Sequence, residues 1–340
     1  MKPYSIKESL AFDDILLVPQ HSSITSRKTV SLRSNIGKIV LETPIIAAPM
    51  DTVCETAMAI KIAQLGGLGV LHRYMPVEAQ ARMLKEVVSL GSTAFVSIGA
   101  TGNFLDDALV LVNAGANAIL VDTANGHSDY AINAVKALRQ EFGNDIHIMS
   151  GNVATADGFA RLVDAGTDSV RVGIGGGSAC TTRVVSGHGV PTLTSIIDIR
   201  NKFGYEYGPA IIADGGIRNS GDAAKALAAG ANAVMLGGAL AGTDESPGEI
   251  IDGNRKLFRG MASYEAQKDG RGSVSGVEGI STTVACKGPV EHVINDFKSG
   301  IASAMSYTGV DNLRDFAYNS QYIQITNSGL AESKPHGKAN

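Results

Sequence analysis

Eight short apolar runs recur along the chain, each followed by a stretch of helical periodicity. No other feature constrains the fold as strongly. The runs occupy 44–49, 68–71, 94–98, 118–121, 146–149, 169–173, 210–213 and 233–236. Runs apolar at consecutive positions suit parallel strands buried on both faces. Segments such as 129–142 and 154–165 separate them and read as helices. Eight βα units in series predict an α/β fold, a closed (β/α)8 TIM barrel filling 1–340 as a single catalytic domain. An open doubly wound sheet is the competing arrangement, but eight evenly spaced units are many for it. A weak internal repeat supports the series: AGANAILVD from Ala114, AGTDSVRVG from Ala165 and AGANAVMLG from Ala229. In each, glycine closes a helix at C′ and a strand begins.

A barrel places its chemistry just past the C-terminal ends of its strands. Polar residues and glycines gather there. They are Met50–Asp51, His72–Arg73, Asp122 with Asn125, Gly126 and His127, Gly151–Asn152, Gly175–Cys180, Asp214–Gly216 and Gly237–Gly238. Forty glycines in 340 residues fit tight turns and close backbone approaches, as in loops that hold phosphate. The pairs Gly215–Gly216 and Gly237–Gly238 follow strands 7 and 8, where barrels commonly bind phosphate through bare N–H groups, and Ser178 adds a hydroxyl. A carboxylate beside such a site suits a ribose diol, which is one reading of Asp214; a helix cap is the other.

The bulk properties exclude several classes. A formal net charge of −4 with interspersed signs leaves no basic stripe for nucleic acid. No apolar run approaches the roughly 18 residues of a membrane span, and the N-terminal residues lack the apolar core of a signal peptide. Cys54, Cys180 and Cys286 are odd in number and far apart, so neither a disulfide framework nor a zinc site is expected, and a reducing cytoplasm is. Cys54 and Cys286 read as small core residues. Cys180 differs. It lies past a strand end in GIGGGSACTTR, with Arg183 three residues on, and a nearby cation favours the thiolate that acts as a nucleophile.

At this loop the sequence resembles the family of IMP dehydrogenases and GMP reductases. The resemblance covers nearly the whole chain: AFDDILLVPQ, APMDTV, GGLGVLHR, GNVAT, GIGGGSACTTR, IADGGIRNSGD and GLAESKPHG. It implies a homotetrameric barrel whose Cys180 attacks C2 of a purine mononucleotide, with hydride transfer involving a nicotinamide cofactor. It implies that Asp214 holds the ribose and that Ser178, Gly215, Gly216, Gly237 and Gly238 hold the phosphate. Gly260, Met261, Ala262 and Gly279 complete the substrate site. Asp122, Thr123, Ala124, Asn125 and Gly173 face the cofactor, and carbonyls of Gly175, Gly177 and Cys180 hold a monovalent cation, K+.

Within the family, a dehydrogenase hydrolyses its thioimidate with an adjacent Arg-Tyr pair on a long mobile flap. The matching stretch, 263–277, is short, and its Arg271 is followed by Gly272. The stretches 122–128 (DTANGHS), 236–242 (LGGALAG) and 260–266 (GMASYEA) resemble the reductase branch. Only one helix, 77–90, fits between strands 2 and 3, where dehydrogenases often insert a regulatory domain. These features imply a GMP reductase that uses NADPH, with Thr182 and Glu278 handling the proton for the departing amine. The alternatives are an IMP dehydrogenase without the regulatory domain and a non-catalytic purine-nucleotide sensor; the intact Cys180 loop argues against the sensor. The chain departs from the family at Arg73, where lysine is usual, at Gly176, where proline is usual, and in the dehydrogenase-like tail 329–337.

Overall fold

The structure, a computed structural model, describes residues 6–205 and 208–335; the last two residues of the tail motif lie outside them. Eight parallel strands form the centre: β1 (Ile45–Ala47), β2 (Leu68–Leu71), β3 (Ala94–Ile98), β4 (Ala118–Asp122), β5 (His147–Val153), β6 (Ser169–Val172), β7 (Ala210–Asp214) and β8 (Ala233–Leu236). They close into a barrel in chain order, and β8 seals the ring by pairing with β1, Val234 against Ile45 and Leu236 against Ala47. Around them stand α1 (Thr56–Gln64), α2 (Val77–Ser89), α3 (Phe104–Asn113), α4 (Asp129–Phe142), α5 (Ala156–Ala165), α6 (Thr192–Phe203), α7 (Ser220–Ala228) and α8 (Val290–Thr308). This is the (β/α)8 TIM barrel, a single domain. Among the described residues no helix is long and apolar enough to cross a membrane.

Strand pleating splits the apolar residues into two cores. Ala118 and Leu120 of β4 join Phe95, Met149, Ile212 and Met235 inside the barrel. Ile119 and Val121 of the same strand pack outward with helix residues such as Val135 and Leu138. Alternation of period two is what a strand dictates, and each large side chain so buried contributes roughly 1.5–3 kcal/mol. The N-terminal end of the barrel is plugged. A hairpin of Ser34–Ile36 and Ile39–Leu41 inserts Ile36 and Leu41 into the inner core. The Ser34 hydroxyl anchors the hairpin on the Asn232 carbonyl. The opposite, C-terminal end is left for a ligand.

The repeated glycines close their helices as anticipated: Gly115, Gly166 and Gly230 hold φ of 106°, 98° and 108°, conformations that suit glycine. Several boundaries shift by a residue or more from expectation, and two of the shifts have a clear local cause. Helix α5 starts at Ala156 because the Thr155 hydroxyl caps it, accepting from Gly158 N–H. Strand β5 runs on through Gly151 and Asn152, which the sequence places just past the strand end, because Val153 still pairs with Val172 after a register shift. Between β2 and β3 lies α2. The flap expected at 263–277 is the connection between the last two strands of an antiparallel sheet, Ile250–Ile251, Arg255–Arg259 and Ser281–Ala285, with which it forms one unit after β8. It carries a helix, Tyr264–Arg271, whose first turn is capped by Ser263.

Candidate active site

The inward series of three strands ends in charge. On β4 it runs Ala118, Leu120, Asp122; on β6, Ser169, Arg171; on β7, Ala210, Ile212, Asp214. Arg171 therefore rises from the lumen between two acids. Its Nη1 donates to Asp122 Oδ1 at 2.6 Å and its Nη2 to Asp214 Oδ2 at 2.9 Å. Gly151 on the neighbouring strand makes room, since a Cβ there would meet the Arg171 Cβ at 2.7 Å. Arg73, past β2, donates through Nε to Asp122 Oδ2 at 3.1 Å. Asn152 donates to Asp214 Oδ2 at 2.7 Å. Burial acts to raise the Asp122 pKa, but the two guanidiniums outweigh it and hold the carboxyl below its ordinary range. Burial likewise opposes the charge on Arg171, and Asp214 and Asp122 restore it. Both contacts to Asp214 fall on Oδ2, so Oδ1 takes part in neither.

Cys180 sits in the glycine-rich loop after β6, and the flap pins that loop from above. Thr181 N–H donates to the Glu278 carbonyl at 2.9 Å, and Ile280 N–H to the Ala179 carbonyl at 3.0 Å. The approach is too close for side chains. A Cβ on Gly260 would lie 2.8 Å from the Ala179 carbonyl oxygen, and one on Gly279 2.9 Å from Ser263 N. This clamp brings Glu278 to the thiol. The Cys180 S–H donates to Thr182 Oγ1 at 3.2 Å, and the Thr182 O–H donates to Glu278 Oε2 at 2.7 Å. The three side chains form a path along which a proton can leave sulfur. Arg183 donates through Nη2 to the Val190 carbonyl at 3.0 Å. The hydrogen-bonded link from the thiol runs through Thr182 to Glu278.

The other cysteines differ in their surroundings. Cys54 is fully buried under β2, and burial pushes its thiol up to about 12. Cys286, read from sequence as core, is only half-buried at the end of a flap strand.

The glycine pairs after β7 and β8 follow neighbouring strands and line the mouth together with Ser178. A Cβ on Gly238 would meet the Ser178 hydroxyl oxygen at 2.7 Å. Gly215 and Gly216 hold φ of 91° and 81°, and a Cβ on Gly215 would crowd Gly176 and Gly177 at 3.1 Å. Bare backbone thus lines this end of the site.

These groups surround one cavity of about 840 Å³, within the size usual for a small-molecule site. Its walls include Cys180, Thr182, Glu278, Ser178, Asp214, both glycine pairs, Gly260, Met261, Ala262, Asp122, Thr123, Ala124, Gly173, Gly175 and Gly177. A second cavity of about 540 Å³ adjoins it and shares Arg73, Asp122, Thr123 and Ala124. Two of the residues singled out from sequence lie behind the walls. Gly279 backs the Cys180 loop, and the Asn125 side chain accepts from His127 N–H within its own turn.

Sequence reasoning missed Arg171, hidden in an apolar run; the acids at the ends of β4 and β7 were the available signal for it. It also missed the anchor of the flap. Arg259, next to Gly260, donates to Asp51 Oδ2 through Nε at 2.9 Å and Nη2 at 2.6 Å, and to Asp269 through Nη1 at 2.7 Å.

Comparison with known proteins accords with this site. The family described as "IMP dehydrogenase / GMP reductase domain" matches residues 9–336. An inosine-5′-monophosphate dehydrogenase of Cryptosporidium parvum is 37% identical, aligned over 98% of this chain and 96% of its own. One from Nitrosopumilus maritimus is 31% identical, over 97% and 98% respectively. The crystal structure of a GMP reductase variant from Trypanosoma brucei in complex with guanosine 5′-monophosphate superposes with a TM-score of 0.92 at 29% identity, covering 98% of this chain and 99% of that one. With a matching barrel, a matching family description and relatives aligned end to end, this chain belongs to the IMP dehydrogenase / GMP reductase family of oxidoreductases.

Proposed function

We propose that the chain is a GMP reductase, converting GMP to IMP and ammonia at the expense of NADPH through a covalent bond to Cys180. One observation carries the reading: the Cys180–Thr182–Glu278 chain, which links the nucleophile to a carboxylate through a hydroxyl. The thiol proton passes to Glu278 by way of Thr182, and sulfur adds to C2 of the purine. The amine at C2 cannot leave as an amide anion, so it must take a proton as the C–N bond breaks. Glu278 returns the proton it received, ammonia departs, and sulfur stays bonded to C2. When C2 has accepted a hydride the C–S bond breaks, and a proton taken up from solvent restores the thiol.

The glycine pairs and Ser178 bind the phosphate in this reading, and Asp214 holds the ribose through its remaining oxygen. Gly260, Met261 and Ala262 bound the base, with Gly279 supporting them. A reduced nicotinamide cofactor supplies the hydride. Asp122, Thr123, Ala124, Asn125 and Gly173 would hold it, and the adjoining second cavity gives its far half room. The carbonyls of Gly175, Gly177 and Cys180 offer oxygen donors of the kind a potassium ion takes. Among the described residues no hydrogen bond ends on the first or the last of them. The reading also carries a homotetramer in the reducing cytoplasm, with which three free thiols accord.

IMP dehydrogenase is the second reading, and the names of the curated relatives favour it. Against it stand the missing Arg-Tyr pair in 263–277 and the compact flap. The alignment with the Nitrosopumilus protein also spans 470 positions against 340 residues here, so that relative carries sequence this chain lacks. The test is stoichiometry. Each NADPH oxidised should yield one IMP and one ammonia from GMP, and a Cys180→Ser variant should yield neither; NADPH oxidation without ammonia would defeat the proposal.

A further inference from the structure

Lys287 lines the main cavity beside the turn that follows β8. Its ammonium donates to the carbonyls of Gly238 and Ala239, at 2.9 Å each. The arginines in the same walls are committed to acids: Arg73 to Asp122, Arg171 to Asp122 and Asp214, and Arg218 to Asp13 and Asp222. Lys287 has no carboxylate partner among the described residues, and burial alone lowers its pKa. The ammonium lies at the exposed rim of the cavity, where no carboxylate of the described residues competes with an incoming anion.

The turn in front of it is short of acceptors. Leu240 and Ala241 N–H donate back to the Gly237 carbonyl, but neither Gly238 nor Ala239 N–H has a partner among the described residues. A trans peptide sets its N–H opposite its carbonyl. Drawing the Gly238 carbonyl onto the ammonium therefore turns the Ala239 N–H away from Lys287.

We propose that Lys287 is a positioning residue of the phosphate subsite: it fixes the Gly238–Ala239 turn so that its free N–H groups meet a phosphate, and it places a positive charge behind them. The inference rests on the nucleotide reading above and adds a residue to it. Lys287 acts through the peptide dipoles, so its effect should follow the phosphate and spare the nucleoside.

The test is calorimetric titration of the enzyme with GMP and with guanosine, for wild type, Lys287→Met, Lys287→Gln and Lys287→Arg. Wild type should prefer GMP. Lys287→Met should lose about tenfold or more in GMP affinity while guanosine binding changes by less than about twofold. Lys287→Arg should recover part of the loss. Lys287→Gln keeps a donor for the carbonyls and removes the charge, so it gives the same answer should the methionine variant fail to fold. Equal losses for both ligands, or none, would overturn the proposal. Wild-type protein that binds GMP and guanosine alike would instead remove the phosphate reading beneath it.

Discussion

The hydroxyl of Thr182 donates to the carboxylate of Glu278 at 2.7 Å, across 96 positions of sequence. The contact exists because the flap lays its strand end along the Cys180 loop, and Glu278 shares its own backbone carbonyl with Thr181. Glu278→Gln keeps the shape and removes the proton acceptor. It should slow ammonia release from GMP by about 10²–10⁴-fold with little change in GMP affinity. Thr182→Val should fall in the same range, and the double variant should be no worse than the poorer single one. Ammonia assays with binding titrations check this; additive losses would mean that the two groups act separately.

The clamp depends on a missing side chain. A Cβ at position 279 would meet Ser263 N at 2.9 Å and the Ala179 carbonyl oxygen at 3.2 Å, both backbone atoms that cannot swing aside. Gly279→Ala should therefore lift the flap from the cysteine loop and lower kcat by about 100-fold, while the circular dichroism spectrum of the barrel stays unchanged. Unaltered kcat would show that Glu278 reaches the thiol by another route.

Arg171 offers a test of stability apart from catalysis. Its side chain is 9% exposed and holds two acids that are 18% exposed. Replacing it by leucine leaves both carboxylates without their common partner. The cost should be about 3–5 kcal/mol, read from urea unfolding at neutral pH. Arg171 holds the Asp122 carboxyl below its ordinary range, so the difference from wild type should persist at neutral pH and narrow only as pH falls below that range.

The closed end of the barrel should govern acid sensitivity. His147 on β5 packs its ring against Phe95 and sets Nε2 2.8 Å from the Ser169 hydroxyl. Burial pushes its pKa from 6.5 down to about 4, against the pull of Asp168. The unfolded chain takes this proton near pH 6.5 and the folded chain only near 4. The stability of the neutral ring is therefore whole above pH 6.5 and is lost as pH falls toward 4. Tm should decline across that window, and His147→Gln should flatten the decline. Parallel curves would assign the acid sensitivity to other groups.

How far the sequence reveals this molecule depends on the range of the forces involved. The barrel was legible because each strand is apolar on both faces and each helix ends in a glycine at positive φ, both local signals. The gathering of the glycine pairs, Ser178 and Cys180 around one cavity was legible because the loops after the strands of this fold converge at one end. Arg171 was not, because a cation in the run SVRVG is explained only by acids on two other strands. The partner of Arg183 was not legible either: its guanidinium donates to the Val190 carbonyl, seven residues on. Arg259 of the flap and Lys287 just past it act on groups 208 and 49 positions away, and no local pattern marks them. Family resemblance alone pointed to Glu278 as a group handling the proton of the departing amine, since by itself it reads as a surface acid.

The most direct test of the central claim follows absorbance at 340 nm in two cuvettes of purified protein with potassium, one with GMP and NADPH, the other with IMP and NAD+. The account predicts a fall in the first, matched by released ammonia, and a flat trace in the second. A rise with IMP and no change with GMP would contradict it, and would mean that a group other than an Arg-Tyr pair activates water in this site.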